Sequence, residues 1–281
     1  MPTVSSEHPL HGRTALVTGV SRRRGIAFAV ASRLARMGAS LALTSHAAHD
    51  AAQPWGADDP AAVTAELREQ LVPGARLAEV PADLADPDAP DRVVAALAAE
   101  LGHLDALVCV HARSGGDAAL PQQTPEMLDG HWQVNARSTL LLTKAFAAQP
   151  GFDGWRPGQQ PPGRVVWLSS GQHLGPMRDE VAYVASKGAL LGALRTVADH
   201  LIERGIVVNA VNPGPVNTGY LDVATTDRDP AVLEQVLAAF PGGRFGEPDD
   251  PARLIAWLVS DDGRWVVGQV IDSEGGFRRW A

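Results

Sequence analysis

Tyr183 and Lys187 stand four positions apart in the stretch SSGQHLGPMRDEVAYVASKGAL, residues 169–190. That spacing puts both side chains on one face of a helix. A free tyrosine titrates near ~10, too high to exchange its proton usefully at neutral pH. A neighbouring ammonium favours the phenolate and lowers that value. Such a pair can pass a proton to or from an oxygen. Ser170 precedes them at the end of an apolar strand, where its hydroxyl can reach the same cleft. Ser169 is the alternative hydroxyl, and the spacing favours Ser170. The plain alternative for Tyr183 and Lys187 is a solvated helical pair.

A second chemical signal is TGVSRRRGIA, residues 18–27. Gly19 ends a strand and Gly25 opens a helix. A helix N-terminus offers N–H groups and partial positive charge, which suits a pyrophosphate, and glycine lets a ligand approach the backbone. Gly19, Ser21, Arg22, Arg23, Arg24, Gly25 and Ile26 would line such a site. The following strand ends in Thr44, Ser45 and His46, where an NAD-selective enzyme usually carries Asp or Glu. A carboxylate there would repel a 2′-phosphate, whereas hydroxyls such as Ser45 and nearby arginines would accept it. The expected cofactor is therefore NADPH/NADP+, with NADH the weaker candidate. The plain alternative is a connecting turn with arginines that coat the surface.

These residues must be held by strands and helices in alternation. Short, near-continuously apolar segments at 14–19, 39–45, 75–84, 104–110, 163–170, 206–214 and 268–276 predict seven strands buried on both faces. Helical spacing predicts helices at 26–38, 91–102, 125–149 and 182–205, and a short one at 230–240. The expected fold class is α/β: a doubly wound Rossmann-type parallel sheet with helices on both faces, in a single domain spanning 1–281, with its ligand site at the strand carboxyl ends. Residues 46–60 read as a polar insertion, 151–163 as a Pro/Gly-rich loop, and 217–247 as a substrate loop.

The chain has 281 residues and a net charge of −8. Nucleic-acid surfaces need an excess of Lys and Arg, so no nucleic-acid partner is expected. No apolar run approaches the ~20 residues that span a bilayer, and no signal peptide is visible, so a cytoplasmic protein with no membrane partner is expected. The one cysteine, Cys109, reads as a small buried hydrophobe, and no disulfide can form within one chain. The histidines at 46, 49, 103, 111 and 131 show no ligand spacing, so no metal site is expected.

Taken together, YVASK, Ser170 before it, Val134–Asn135, ADL at 82–84 and NPGPVNT at 212–218 resemble the short-chain dehydrogenase/reductase family, in order and spacing, from about Arg13 to Gly276. The ending SEGGF is similar to members labelled 3-oxoacyl-(acyl-carrier-protein) reductases. The resemblance implies an enzyme that interconverts a ketone and a secondary alcohol, with Tyr183 giving or taking the proton. Lys187 would lower the tyrosine pKa and hold the nicotinamide ribose, and Ser170 would bond the carbonyl oxygen. Asn135 would hold a water in a relay to Lys187. Asp83 and Leu84 would flank the adenine, Ala112 would pass the adenosine ribose, and Pro213, Gly214, Val216 and Thr218 would border the nicotinamide and its phosphate. The implied partner is a small carbonyl substrate, free or carried as a thioester, and the implied assembly is a homo-oligomer, a dimer or tetramer. Alternatives are a ketoreductase on a polyketide- or sugar-derived ketone, and a non-catalytic NADP(H) sensor.

Two departures stand out. The glycine turn has two residues more than the common pattern and Ala27 for its last glycine, a spacing similar to enoyl-acyl-carrier-protein reductases. Those separate tyrosine and lysine more widely, so carbonyl reduction is favoured. Where most members carry Asn-Asn-Ala-Gly, this chain has Val110, His111, Ala112 and Arg113. His111 either replaces the structural bonds of an asparagine or perturbs the relay at Asn135. Arg113 is a candidate for an anionic substrate group at the rim.

Overall fold

Thr14–Thr18 forms β1, and all five of its residues are buried because strands on both sides and helices on both faces cover it. The computed structural model describes residues 7–226 and 229–280. The other strands are β2 (Ser40–Thr44), β3 (Leu77–Glu79), β4 (Ala106–Cys109), β5 (Gly163–Leu168), β6 (Ile206–Asn212) and β7 (Val270–Asp272). They form one parallel seven-stranded sheet in the order β3-β2-β1-β4-β5-β6-β7. The chain winds outward from β1 to β3, then returns to lay β4 beside β1. That reversal opens a crevice at the carboxyl ends of β1 and β4, where Thr18 is in register with Cys109.

The helices are α1 (Ile26–Arg36), α2 (Ala47–Ala51), α3 (Pro60–Arg68), α4 (Ala89–Leu101), α5 (Pro125–His131), α6 (Ser138–Ala147), α7 (Val181–Ile202), α8 (Pro230–Ala238) and α9 (Asp249–Val259). One core layer joins α1 and α9 to one face of the sheet through Val30, Leu34, Ile255 and Leu258. The opposite layer sets α4, α6 and α7 on the other face through Leu97, Phe146, Trp167 and Leu194. Each large apolar side chain taken from water contributes about 1.5–3 kcal/mol, so the layers hold the crevice rigidly.

The structure corrects several sequence-based boundaries. The helix expected at 125–149 is divided: α5 and α6 are joined by a π-helical segment, Trp132–Arg137. The Ser138 hydroxyl bonds back to the Val134 carbonyl at 2.5 Å within this widened turn. The 46–60 stretch is not merely an insertion. It contains α2 and leads into α3, which Asp59 caps through Ala61 N–H with Pro60 in the first turn. Strands β3 and β7 are only three residues each, because pairing with β2 and β6 extends no further. Helix α9 has no counterpart in the elements expected from periodicity. The 217–247 loop holds α8, and its residues 227 and 228 lie outside the described residues. Among the described residues, no helix is long and apolar enough to cross a membrane.

Candidate active site

Gly19 follows β1 at φ +78°, and a Cβ there would come within 2.9 Å of the His111 Cα. Only glycine lets the turns after β1 and β4 approach so closely, and this fixes the width of the crevice. Helix α1 begins at Gly25 with no side-chain cap and no acidic residue in its first turn. Its N-terminal amides therefore face the crevice as an anion-binding end. These features fit a dinucleotide pyrophosphate.

The three arginines each meet a different carboxylate. Arg22 pairs with Asp50 of α2 at 3.2 Å, donates to the Thr218 carbonyl at 2.8 Å and lies over the Trp55 ring at 5.6 Å. Arg23 pairs with Glu66 of α3 at 3.3 Å, and Arg24 with Asp222 at 2.7 Å. Ser21 also donates to Asp50. Arg22 is the half-buried member of the three, while Arg23 and Arg24 are exposed. Trp55 packs on Gly219 and meets Tyr220 edge-on at 6.4 Å, so residues near Trp55 reach the loop after β6. Ser45 departs from its expected role: its hydroxyl donates to Glu79 at 2.7 Å, inside the sheet edge. Asp83 is exposed and caps Ala85 N–H at 2.9 Å, and Leu84 is buried beside it. Ala112 follows His111 in the crevice. Pro213, Gly214 and Thr218 stay partly open after β6, while Val216 is buried in a bridge to Gly246.

Helix α7 brings Tyr183 and Lys187 to the floor of the crevice. The Ser170 hydroxyl is close enough to the Tyr183 phenol to act on its proton and donates to Met177 Sδ at 3.8 Å, whereas among the described residues the Ser169 hydroxyl is buried with no partner. Lys187 is buried, donates to the Leu168 carbonyl at 2.9 Å and stands 5.9 Å from the Tyr183 ring centre. Burial brings its pKa down to about 8. The tyrosine departs from expectation. Burial, then Glu180 and Tyr220, push the phenol above its ordinary value, and the nearby Ser170 hydroxyl opposes them. The phenol is therefore protonated at neutral pH.

Asn135 sits in the π-helical turn and is fully buried. Its amide does not reach Lys187. Oδ1 accepts from Arg113 N–H at 2.7 Å, and Nδ2 donates to the Arg113 carbonyl at 3.3 Å and to Ser186 Oγ at 3.0 Å. The side-chain amide of Asn135 thus holds the Arg113 backbone and Ser186. His111 takes the structural role among its two alternatives. Its Nδ1 meets Thr18 Oγ1 at 2.6 Å, and its Nε2 lies 3.2 Å from the Val134 carbonyl and 2.8 Å from Ser138 Oγ. Burial, then Lys187, lower its pKa to about 3, so the ring is neutral, with Nε2–H donating and Nδ1 accepting. It ties β1 to the π-helical turn.

Sequence reasoning missed Asp50, Trp55, Tyr220, Asp117 and His131 as neighbours of the site. His131 lies edge-on to Tyr183 at 6.3 Å. The only available signal was that Tyr183 and Tyr220 are the chain's two tyrosines.

The family model described as "Enoyl-(Acyl carrier protein) reductase" matches residues 19–278. The chain belongs to the short-chain dehydrogenase/reductase family. It is 35% identical to an uncharacterized oxidoreductase of Bacillus subtilis over 95% of this chain and 97% of that one. It is 30% identical to versicolorin reductase 1 of Aspergillus parasiticus over 97% and 99%. A short-chain dehydrogenase from Burkholderia cenocepacia, solved in complex with NADP, superposes with a TM-score of 0.77 at 31% identity over 95% of this chain and 98% of that one. As a short-chain dehydrogenase/reductase, the protein is an NAD(P)-dependent oxidoreductase of CH–OH and C=O groups.

Proposed function

We propose that this protein is an NADPH-dependent reductase that converts a ketone to a secondary alcohol. The observation that carries the reading is the grouping of the Tyr183 phenol near Ser170 with the buried Lys187 ammonium 5.9 Å from its ring centre. A phenol that keeps its proton at neutral pH is suited to give it to an oxygen as negative charge develops there. Ser170 would hold the same oxygen and orient the carbonyl. Lys187 would add positive charge at the foot of the site and hold the cofactor ribose. The cofactor supplies the hydride when bound.

NADPH is favoured by the environment of Arg22 and Ser21. A 2′-phosphate would take Arg22 and Ser21 over from Asp50, whose carboxylate opposes it, so the preference rests on the bidentate guanidinium–phosphate contact. No carboxylate stands at Thr44, Ser45 or His46. The similarity to an NADP-bound enzyme agrees with this. Gly19, Gly25, Ile26, Asp83, Leu84, Ala112, Pro213, Gly214, Val216 and Thr218 would line the rest of the cofactor cleft. The similarity to versicolorin reductase 1 favours the reductive direction, the family model's description favours an acyl thioester, and a polyketide- or sugar-derived ketone is the second candidate class. Exposed Trp132, Trp257, Trp265 and Trp280 support burial between copies, hence a homo-oligomer.

The test is oxidation of NADPH, and separately of NADH, against a 3-oxoacyl thioester, a diketone and a cyclic polyketide-like ketone. Turnover with NADPH supports the reading and assigns the substrate class. Turnover with NADH alone removes the role given to Arg22.

A further inference from the structure

We propose that Asp117 is a positioning residue for the Tyr183 phenol, acting through the backbone of the helix that carries it. The proposal rests on the reading of Tyr183 as the proton donor. Asp117 lies in the loop between β4 and α5, and its Oδ2 accepts the backbone N–H of Tyr183 at 2.7 Å. Its Oδ1 accepts Ala182 N–H at 3.0 Å, Ala118 N–H at 2.7 Å and Gln123 Nε2–H at 2.7 Å. Helix α7 has no cap of its own: the Glu180 side chain does not cap it, and its first turn holds no acidic residue. The amides that open this 22-residue helix therefore take their carboxylate from a loop 65 and 66 residues earlier. A negative charge there also opposes the positive end of the helix dipole.

The same loop is pinned at its start. Asn135 holds both the N–H and the carbonyl of Arg113, and donates to Ser186 Oγ, which in turn donates to the Tyr183 carbonyl at 2.8 Å. The backbone of Tyr183 is thus held on both sides, N–H by Asp117 and C=O by Ser186. Tyr183 sits in the first turn of α7, the part of a helix that frays most easily. Burial of the Asp117 carboxyl works against its charge, but the bonds from Tyr183, Gln123, Ala182 and Ala118 outweigh it, and its pKa lies below the usual carboxylate value. The carboxylate is therefore charged, and able to accept from every donor, across the neutral range. Loss of this anchor lets the first turn shift, and a ~1 Å misplacement at a reacting centre costs on the order of 100-fold in rate.

The experiment compares Asp117→Ala, Asp117→Asn and Gln123→Ala, with Tyr183→Phe as the control for the underlying reading. Asparagine matches aspartate in size but must turn N–H groups toward backbone donors, so it cannot replace the carboxylate. Readouts are kcat and KM, cofactor Kd by fluorescence titration, and Tm, with rates normalised to cofactor-binding sites and taken well below Tm. Both Asp117 variants are expected to lose about 10- to 100-fold in kcat with cofactor Kd within about twofold. Gln123→Ala, which removes a bond to Asp117 but none to α7, is expected to stay within about twofold of wild type in kcat. If Asp117→Ala does not fold, Asp117→Asn carries the comparison alone. An unchanged kcat per binding site with a lowered Tm overturns the proposal and leaves Asp117 a stabilising cap. A parallel loss of cofactor affinity also overturns it. Retained activity in Tyr183→Phe instead sinks the reading of Tyr183, whatever the Asp117 variants do.

Discussion

Lys187 donates to the carbonyl of Leu168 at 2.9 Å, and Leu168 is the last residue of the strand that delivers Ser170. This bond ties helix α7 to the end of β5, two residues before Ser170. It also means that the ammonium is held by the backbone rather than by the phenol.

The charge of Lys187 is expected to set the alkaline limit of activity. Its folded pKa is about 8, so the ammonium is present below that value and lost above it. The rate of ketone reduction should fall as pH rises through about 8. Lys187→Met should be slower by roughly 100-fold and lack this step. A pH–rate profile of both proteins checks it, and a limb that survives in Lys187→Met would assign the titration elsewhere.

His111 predicts a pH-dependent stability. Its folded pKa of about 3 lies below the unfolded value of ~6.5. The unfolded chain therefore binds the proton more readily between these values. The stability is fully present above ~6.5 and is lost as pH falls toward about 3, by on the order of a few kcal/mol. Urea unfolding at stepped pH should show a steeper decline in wild type than in His111→Asn. Equal slopes would contradict the buried neutral imidazole.

Cofactor choice is expected to rest on Arg22 more than on its neighbours. Arg23 and Arg24 are exposed and paired with Glu66 and Asp222, and exposed pairs contribute little. Arg22→Leu should raise the Kd for NADPH about 10- to 100-fold and leave that for NADH within about threefold. Arg24→Leu should change neither by more than about threefold. Titration of intrinsic tryptophan fluorescence separates these outcomes.

The sheet and its seven strands were legible because short apolar runs mark buried strands, and the four-residue step put Tyr183 and Lys187 on one helix face, whereas Ser170 was chosen from its place at a strand end and from the family resemblance. What was not legible depends on partners far along the chain. The arginines of the glycine turn announce positive charge, but nothing near them shows that Asp50, Glu66 and Asp222 meet them. The direction of the Tyr183 shift reversed for the same reason. The sequence shows an ammonium four residues on, but neither the burial of the phenol nor the Leu168 carbonyl that takes that ammonium. Nor does the sequence show that the Asn135 amide bonds the Arg113 backbone and Ser186. The π-helical turn that aims it carries no periodic mark, since one widened turn leaves the apolar spacing of 125–149 nearly unchanged.

Tyr183 is proposed to give the proton in an NADPH-dependent ketone reduction. The most direct measurement is the single-turnover rate of NADPH oxidation with a ketone that wild type reduces, in wild type and Tyr183→Phe, with NADPH binding verified in both. Binding should stay intact and the rate should fall by at least about 100-fold in the variant. A Tyr183→Phe protein that binds NADPH and reduces the ketone at the wild-type rate would contradict it.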